Sequence, residues 1–411
     1  MSRSLALTLA CGAVILGISV GLRQGLGLFL EPISLDLGLG REAFAFAIGL
    51  MNLVWGLLAP FAGALADRHG AARVIALGAV AYAAGLLVMA LGGAGGGTDG
   101  GGGGQLVLGG ALIGLGLSGS GFTVVLGAVG RAAPPERRGQ ALGLTSVGGS
   151  IGQFLALPYC HLLIEGFGWL PSLTVLAGTA LCMAALARGL ARGRPIAAPA
   201  PGSLRAESLT AALRLASGHR GFWLLTAGFF VCGFHLAFVA VHLPAYLTDQ
   251  GMPAWLPAAA LTLVGLCNIV GTLLCGWLGD RHRKSGVLSL LYLARAMIFL
   301  LFLLFPVSET SVLVFAATMG FLWLGTVPLT SGLVAAIFGP VHLSMLFGIV
   351  FLSHQLGGFL GAWIAGALYD ALGSYDVMWW ASVALGLLSA ALHWPIDERP
   401  LARPAVAASV A

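Results

Sequence analysis

Long apolar runs, separated by short polar ones, set the pattern of this chain from end to end. A helix that crosses a bilayer needs about 20 consecutive apolar residues. Runs of that length fall near 7–30, 43–66, 73–93, 105–130, 140–164, 169–189, 221–247, 255–279, 286–306, 310–334, 343–368 and 375–395. The pattern predicts an all-α integral membrane protein with twelve transmembrane helices. Residues 1–30 do not read as a cleaved leader, because no clear small-residue cleavage site closes the first run and further apolar runs follow.

Composition strengthens this reading. Of 411 residues, 58% are hydrophobic and only 9% charged, whereas soluble domains run near 25% charged. The six cysteines (Cys11, Cys160, Cys182, Cys232, Cys267 and Cys275) are scattered through apolar runs with no C-x-x-C pair. They read as small buried hydrophobes. No histidine or cysteine set has metal-site spacing, so neither a metal nor a cofactor is expected.

The net charge of +5 would suit a nucleic-acid binder, but the placement of the charges argues for a membrane. With the N-terminus placed inside, 17 of the 20 Lys and Arg residues fall in inside loops or tails. The outside loops carry mainly acids: Glu31, Asp36, Glu42, Asp99, Glu165, Asp249, Glu309 and Asp376. This positive-inside asymmetry puts both termini in the cytoplasm, with the basic surface facing the anionic inner leaflet. Only Arg23, Arg41 and Arg295 depart from it. Arg41, beside Glu42 at the outer start of the second run, reads as an interfacial residue.

Two stretches divide the runs. "GGAGGGTDGGGGG" (92–104) lacks the Lys and Ser/Thr of a phosphate loop and has no strand before it, so it reads as a flexible outside linker. Residues 191–218, rich in Pro, Ala and Arg, separate six runs from six. The expected organisation is an N-terminal bundle (1–190), a cytoplasmic linker (191–218) and a C-terminal bundle with a short tail (219–411). The halves echo each other. "GALADRHGAAR" (63–73) closes the second run and "GWLGDRHRK" (276–284) the eighth, both with G-x-x-x-D-R. Gly143 and Gly152 in the fifth run are spaced as Gly348 and Gly357 are in the eleventh. Two parallel six-helix repeats describe one large class of secondary transporters.

"GALADRHGAAR" resembles the loop 2–3 signature of the major facilitator superfamily. Gly63, Asp67, Arg68, Gly70 and Arg73 stand where that signature expects them, and Gly276, Asp280 and Arg281 form its weaker second copy. The resemblance covers essentially the whole chain. It implies two pseudo-symmetric six-helix bundles and a gate formed by Gly63, Asp67, Arg68, Arg73, Asp280 and Arg281. A narrower likeness joins "ERRGQALGLTSVGGSIGQ" (136–153), "GLRQGLGLFLEPI" (21–33) and "LYDALGSYDVMWW" (368–380) to monocarboxylate porters and oxalate/formate-type relatives. In those relatives a cation of the first helix faces the substrate path. One departure stands out. Such porters carry an Asp and Arg pair in helix 8, but "LVGLCNIVGTLLCGW" (263–277) has neither, and Asn268 is its only strongly polar side chain.

Arg23 is the sharpest single residue. It lies eight residues before Glu31, about 12 Å below the outer end of its helix at 1.5 Å per residue. A guanidinium stays charged, and one buried in hydrocarbon marks a functional site by default. No acid sits mid-span anywhere in the chain, so a substrate carboxylate would supply the missing charge by bidentate pairing. Helix carbonyls, or a reach upward to Glu31 or Asp36, are the alternative partners. Arg295 is the rival cation. His235, and His354 with Gln355, are the candidates for substrate hydrogen bonding or proton relay. Gln24, Asn52, Gln153 and Asn268 complete the polar set, each of which alone also reads as interhelical glue.

These readings converge on a monomeric secondary transporter of the inner (plasma) membrane. Its partners would be a small organic anion, a mono- or dicarboxylate, with or without protons, and the lipid bilayer. The alternative is an efflux pump for drugs or other amphipathic compounds, which would call for an acidic, aromatic cavity. A membrane enzyme finds no nucleophile–base set here.

Overall fold

Each apolar run folds as a helix. The computed structural model describes residues 3–94, 102–133, 138–190, 214–338 and 343–401. Among them are twelve spanning helices: α1 (Leu5–Asp36), α2 (Arg41–Ala66), α3 (Ala71–Gly92), α4 (Gly102–Gly130), α5 (Gly143–Phe167), α6 (Trp169–Leu190), α7 (Arg220–Asp249), α8 (Trp255–Arg281), α9 (Lys284–Leu304), α10 (Glu309–Phe338), α11 (Leu346–Leu372) and α12 (Asp376–His393). The linker read at 191–218 lies outside the described residues up to position 213. Of the glycine-rich linker at 92–104, residues 102–104 form the first turn of α4, and residues 95–101 lie outside the description.

Four of the spans are not single α-helices: α6 closes in a 3-10 turn (Ala187–Leu190), and three others are interrupted. In α1 a 3-10 turn (Leu26–Phe29) separates Arg3–Gly25 from Leu30–Asp36. In α4, Gly121 separates Gly102–Ser120 from Phe122–Ala132. In α10, residues 322–325 separate Glu309–Phe321 from Thr326–Phe338. Because α4 and α10 hold the same place in the two halves, the breaks repeat with the fold. The continuation of α1 to Asp36 also moves its end five residues past Glu31. Arg23 therefore lies about 20 Å from that end, deeper than the apolar run alone suggests. Tight turns join some spans. Gly70, at φ 90°, caps the helix Arg41–His69 that carries α2, and Gly168, at φ 77°, joins α5 to α6; side chains other than glycine rarely adopt that region.

Packing follows the repeat. α1 lies against α5, α3 against α6, and α2 against α4; α7 lies against α11, α9 against α12, and α8 against α10. Between the halves, α2 meets α11, α5 meets α8, and α1 meets α7, a set that maps onto itself when the halves are exchanged. Two large apolar clusters result. One is built mainly from α1–α6, with Ala237, Val241, Ala245 and Ala362 joining from the other half. The second is built mainly from α7–α12, with Leu157 joining from α5. Cys160, Cys232 and Cys275 are buried as expected, but Cys11 and Cys267 are only half-buried and Cys182 is exposed.

Small residues bring the backbones together, since helices in lipid associate by close packing. Gly17 and Gly21 of α1 face Gly148, Gly152 and Ala156 of α5. A Cβ on Gly152 would run into the Gly17 backbone, whereas one on Gly143 would meet nothing within 4 Å. In the other half, Gly357 presses on Phe230, while Gly348 faces open space. Only one glycine of each echoed pair is thus a packing residue. Gly152→Leu should sharply lower the yield of monodisperse protein in size-exclusion chromatography, with an overpacking cost of about 1–3 kcal/mol or more. Gly143→Leu should leave the yield unchanged.

Candidate functional site

Arg23 projects from α1 toward α2. Its Nε and Nη2 both donate to Oδ1 of Asn52, at 3.0 and 2.8 Å. Its guanidinium lies 5.4 Å from the ring centroid of Trp55, one helical turn further along α2. Asn52 is 1% exposed and donates its own Nδ2 to the Ile48 carbonyl at 3.1 Å; that bond turns Oδ1 toward the arginine. Among the described residues, no carboxylate pairs with Arg23. An amide oxygen and a ring face orient a cation without neutralising it. Arg23 itself is only partly buried, so a charge without a counter-ion stands where the halves meet.

The wall beside it is aromatic and crosses between the halves. Trp55 meets Phe351 of α11 edge-on at 5.5 Å, and Phe351 stacks on His354 at 5.7 Å. His354 Nδ1 lies 3.0 Å from Gln355 Oε1. Gln355 is 1% exposed, and its Nε2 has no partner among the described residues. A Cβ on Gly56 would touch the Gln355 side chain, which places α2 and α11 in close contact here. Gln24, the neighbour of Arg23, is 3% exposed on α1. Arg23, Asn52, His354 and Gln355 thus share one continuous region, tied together by Trp55 and Phe351.

The remaining candidates lie elsewhere and are occupied by protein partners. Asn268 donates Nδ2 to Ser150 Oγ and Gln153 Oε1 of α5, both at 3.3 Å. Its Oδ1 accepts from Thr272 Oγ1 at 2.9 Å and from the Leu324 backbone N–H at 3.0 Å. Asn268 therefore joins the contact between α5 and α8 to the break in α10. Arg295, fully buried in α9, serves the other side of that break. Its Nη2 donates to the carbonyls of Leu322 and Trp323 at 2.5 and 2.6 Å, and its Nη1 lies 3.5 Å from Cys232 Sγ. Carbonyls at a helix C-terminus have no intrahelical partner, so Arg295 caps the first half of α10. His235 is also fully buried, with Nε2 2.9 Å from the Ser382 carbonyl and its ring 4.8 Å from Phe299. It packs toward α9 and α12.

The loop 2–3 signature sits at the arginine-rich end. Arg68, Arg73, Asp280 and Arg281 are exposed there, and Arg281 lies over the Trp277 ring at 4.1 Å. Gly63 approaches Thr123, which a Cβ would meet at 3.0 Å. The side chain of Asp67 lies outside the description.

One group escaped the sequence reading. Arg41, read as an interfacial residue, bridges the halves at the acidic-loop end. Its guanidinium makes a two-pronged pair with Asp249 at 2.6 and 2.7 Å and donates to Tyr375 Oη at 3.0 Å. Asp370 accepts the backbone N–H groups of Arg41 and Glu42 at 2.9 and 2.8 Å. The one available signal was that Arg41 is a cation on a side otherwise populated by acids.

Twelve helices in two equivalent sets of six, meeting at a polar site, define a membrane transporter rather than an enzyme. The model for the Major Facilitator Superfamily matches residues 9–329 and 258–409, and the chain belongs to that family. Its relatives include an uncharacterized MFS-type transporter, YcxA, of Bacillus subtilis, 24% identical over 86% of this chain and 85% of the relative. Monocarboxylate transporter 13 of Rattus norvegicus is 27% identical over 82% of this chain and 75% of its own. Monocarboxylate transporter 11 of Mus musculus is 28% identical over 88% and 80% respectively. Among solved structures, a bacterial homolog of the human lysosomal transporter Spinster, inward-facing and unoccupied, superposes with a TM-score of 0.75. It is 14% identical and covers 96% of this chain and 97% of its own. A D-xylose–proton symporter superposes at 0.71, with 15% identity over 97% and 99%. Both share the fold.

Proposed function

We propose that this transporter moves a small organic anion, a mono- or dicarboxylate, across the inner (plasma) membrane by alternating access. The two halves, residues 1–190 and 219–411, rock about the site, and transport is proton-coupled or runs by exchange. The observation that carries the reading is Arg23: a partly buried cation between the halves, oriented by Asn52 and Trp55 and, among the described residues, lacking a carboxylate partner. The substrate carboxylate completes its coordination. Gln355, with its free Nε2, and His354 stand across the aromatic wall to meet the polar remainder, and Gln24 flanks the site. Gln153, Asn268, His235 and Arg295 support the site from behind. The relatives named as monocarboxylate transporters point to the same substrate class.

With the arginine-rich loops placed in the cytoplasm, the bridge at Arg41 closes the outer mouth, and the arrangement is inward-facing. The signature residues Gly63, Asp67, Arg68, Arg73, Asp280 and Arg281 then form the gate on the opposite side.

The test is uptake of a labelled carboxylate panel into proteoliposomes, with and without a pH gradient, together with counterflow of unlabelled substrate. Saturable uptake or counterflow of at least one carboxylate is expected. Neither for any carboxylate, with transport of cationic amphiphiles instead, would overturn the reading.

A further inference from the structure

We propose that Arg41, Asp249 and Asp370 are the working parts of the gate at the acidic-loop end, a latch that holds this mouth shut and must part in each transport cycle. The proposal rests on the alternating-access reading but not on the identity of the substrate.

The latch joins the halves in two chemically different ways. The first is the Arg41–Asp249 pair between the start of α2 and the end of α7. Paired, parallel N–H···O bonds make this the most directional ion pair that side chains form. The guanidinium also lies 3.9 Å from the Tyr369 ring centroid. The second is a helix cap made in trans. α2 begins after Gly40, which has no side chain to cap it. Its leading N–H groups are satisfied instead by the carboxylate of Asp370, which belongs to α11 of the other half. The helix dipole favours an anion there. A Cβ on Gly40 would collide with that carboxylate, so the glycine is what lets the cap approach.

Further contacts brace the latch. Glu42 Oε1 accepts from Trp363 Nε1 at 2.9 Å. Tyr375 Oη accepts from Arg41 and lies 3.0 Å from His242 Nδ1, while His242 Nε2 lies 2.8 Å from the Ala362 carbonyl. One assignment satisfies every atom in this chain: Tyr375 donates to Nδ1, and the Nε2 proton goes to the carbonyl. Burial raises the Tyr375 phenol above its ordinary range, which keeps that proton in place.

The bonds between the halves run from residues 41 and 42 of the first to residues 249, 363, 370 and 375 of the second. All of them break if the mouth opens. The pair is partly wet, with Arg41 and Asp249 side chains 12% and 27% exposed, so water can take over the freed groups. That suits a reversible gate better than a permanent staple, because a dry ion pair would be costly to part. Beneath the polar layer the contact is apolar. Phe46 meets Phe359 and Trp363 edge-on at 5.9 and 5.6 Å, and Ala45 is fully buried near Gly366.

Ala45→Cys places a reporter at a fully buried position of that layer. In nanodiscs, where both faces are reachable, a water-soluble maleimide should label it slowly; the protein without this substitution gives the background of the six native cysteines. Adding Arg41→Gln should raise the labelling rate about tenfold, and Asp370→Ala should raise it by less. The exchanged pair, Arg41→Asp with Asp249→Arg, should bring the rate back toward the starting value, which a merely damaged protein would not do. Should Arg41→Gln fail to fold, Asp249→Asn keeps the shape of the site and should give the same rise. An unchanged rate in the folded single variants, or no recovery in the exchanged pair, would overturn the latch. Labelling needs no substrate, so a failed uptake panel leaves this result standing, and an unchanged labelling rate leaves the anion reading standing.

Discussion

Arg23→Gln is expected to abolish carboxylate transport, lowering kcat/KM at least about 100-fold, which corresponds to roughly 2.7 kcal/mol of lost stabilisation. Truncating one partner of a buried, hydrogen-bonded charge pair costs on that order or more. Glutamine keeps a donor that can reach Asn52 Oδ1 but brings no charge. Arg23→Lys restores the charge as a point without the planar fork, and transport should fall only about tenfold. Folding should survive both changes: glutamine removes an unneutralised cation from a membrane interior, which relieves a desolvation cost rather than creating one, and lysine keeps the charge that the site already holds. The check is initial-rate uptake normalised to folded protein, with a thermal midpoint for each variant. Normal transport by Arg23→Gln would remove the central assignment.

The second large effect is expected on stability. Arg295→Met should lower the thermal midpoint by on the order of 10 °C while leaving KM for any transported anion nearly unchanged. The carbonyls of Leu322 and Trp323 at the break in α10 depend on this guanidinium. Each buried acceptor left unpaired costs about 1–3 kcal/mol, and the bilayer interior offers no water to replace the donor. Methionine fills the apolar part of the space but donates nothing. A normal midpoint with lost substrate affinity would make Arg295 the substrate cation instead. A melting scan in detergent and a saturation curve on the same preparation separate these outcomes.

These two arginines mark where sequence reasoning succeeds and where it stops. Both are plainly visible as charges inside apolar runs, although the continuation of α1 to Asp36 sets Arg23 deeper than the residue count gave. Their roles do not follow, because a chain this apolar shows no amphipathic stripe to say which helix face looks inward. His235 and His354 both stand midway along apolar runs, yet one packs toward α9 and α12 and the other joins the wall at the interface. The twelve spans were legible because length and hydropathy decide them. The breaks in α4 and α10 were not, because an interrupted helix has the same composition as a continuous one. Their visible traces, "GSG" at 119–121 and "LWLG" at 322–325, acquire meaning only beside partners such as Asn268 and Arg295. The bridge at Arg41 joins residues 208 apart in the chain, and nothing local in either stretch announces the other.

The absence of a carboxylate beside Arg23 has an electrical consequence. A transporter that opens alternately to each side moves the transmembrane voltage drop from one side of its central site to the other. The empty carrier then carries the guanidinium charge through part of that drop, at about 2.3 kcal/mol for each full charge and 100 mV. Once a monoanion is bound, the moving assembly is neutral. With no proton bound beside the anion, the loaded step is then electrically silent, and the membrane potential acts on any return of the empty carrier.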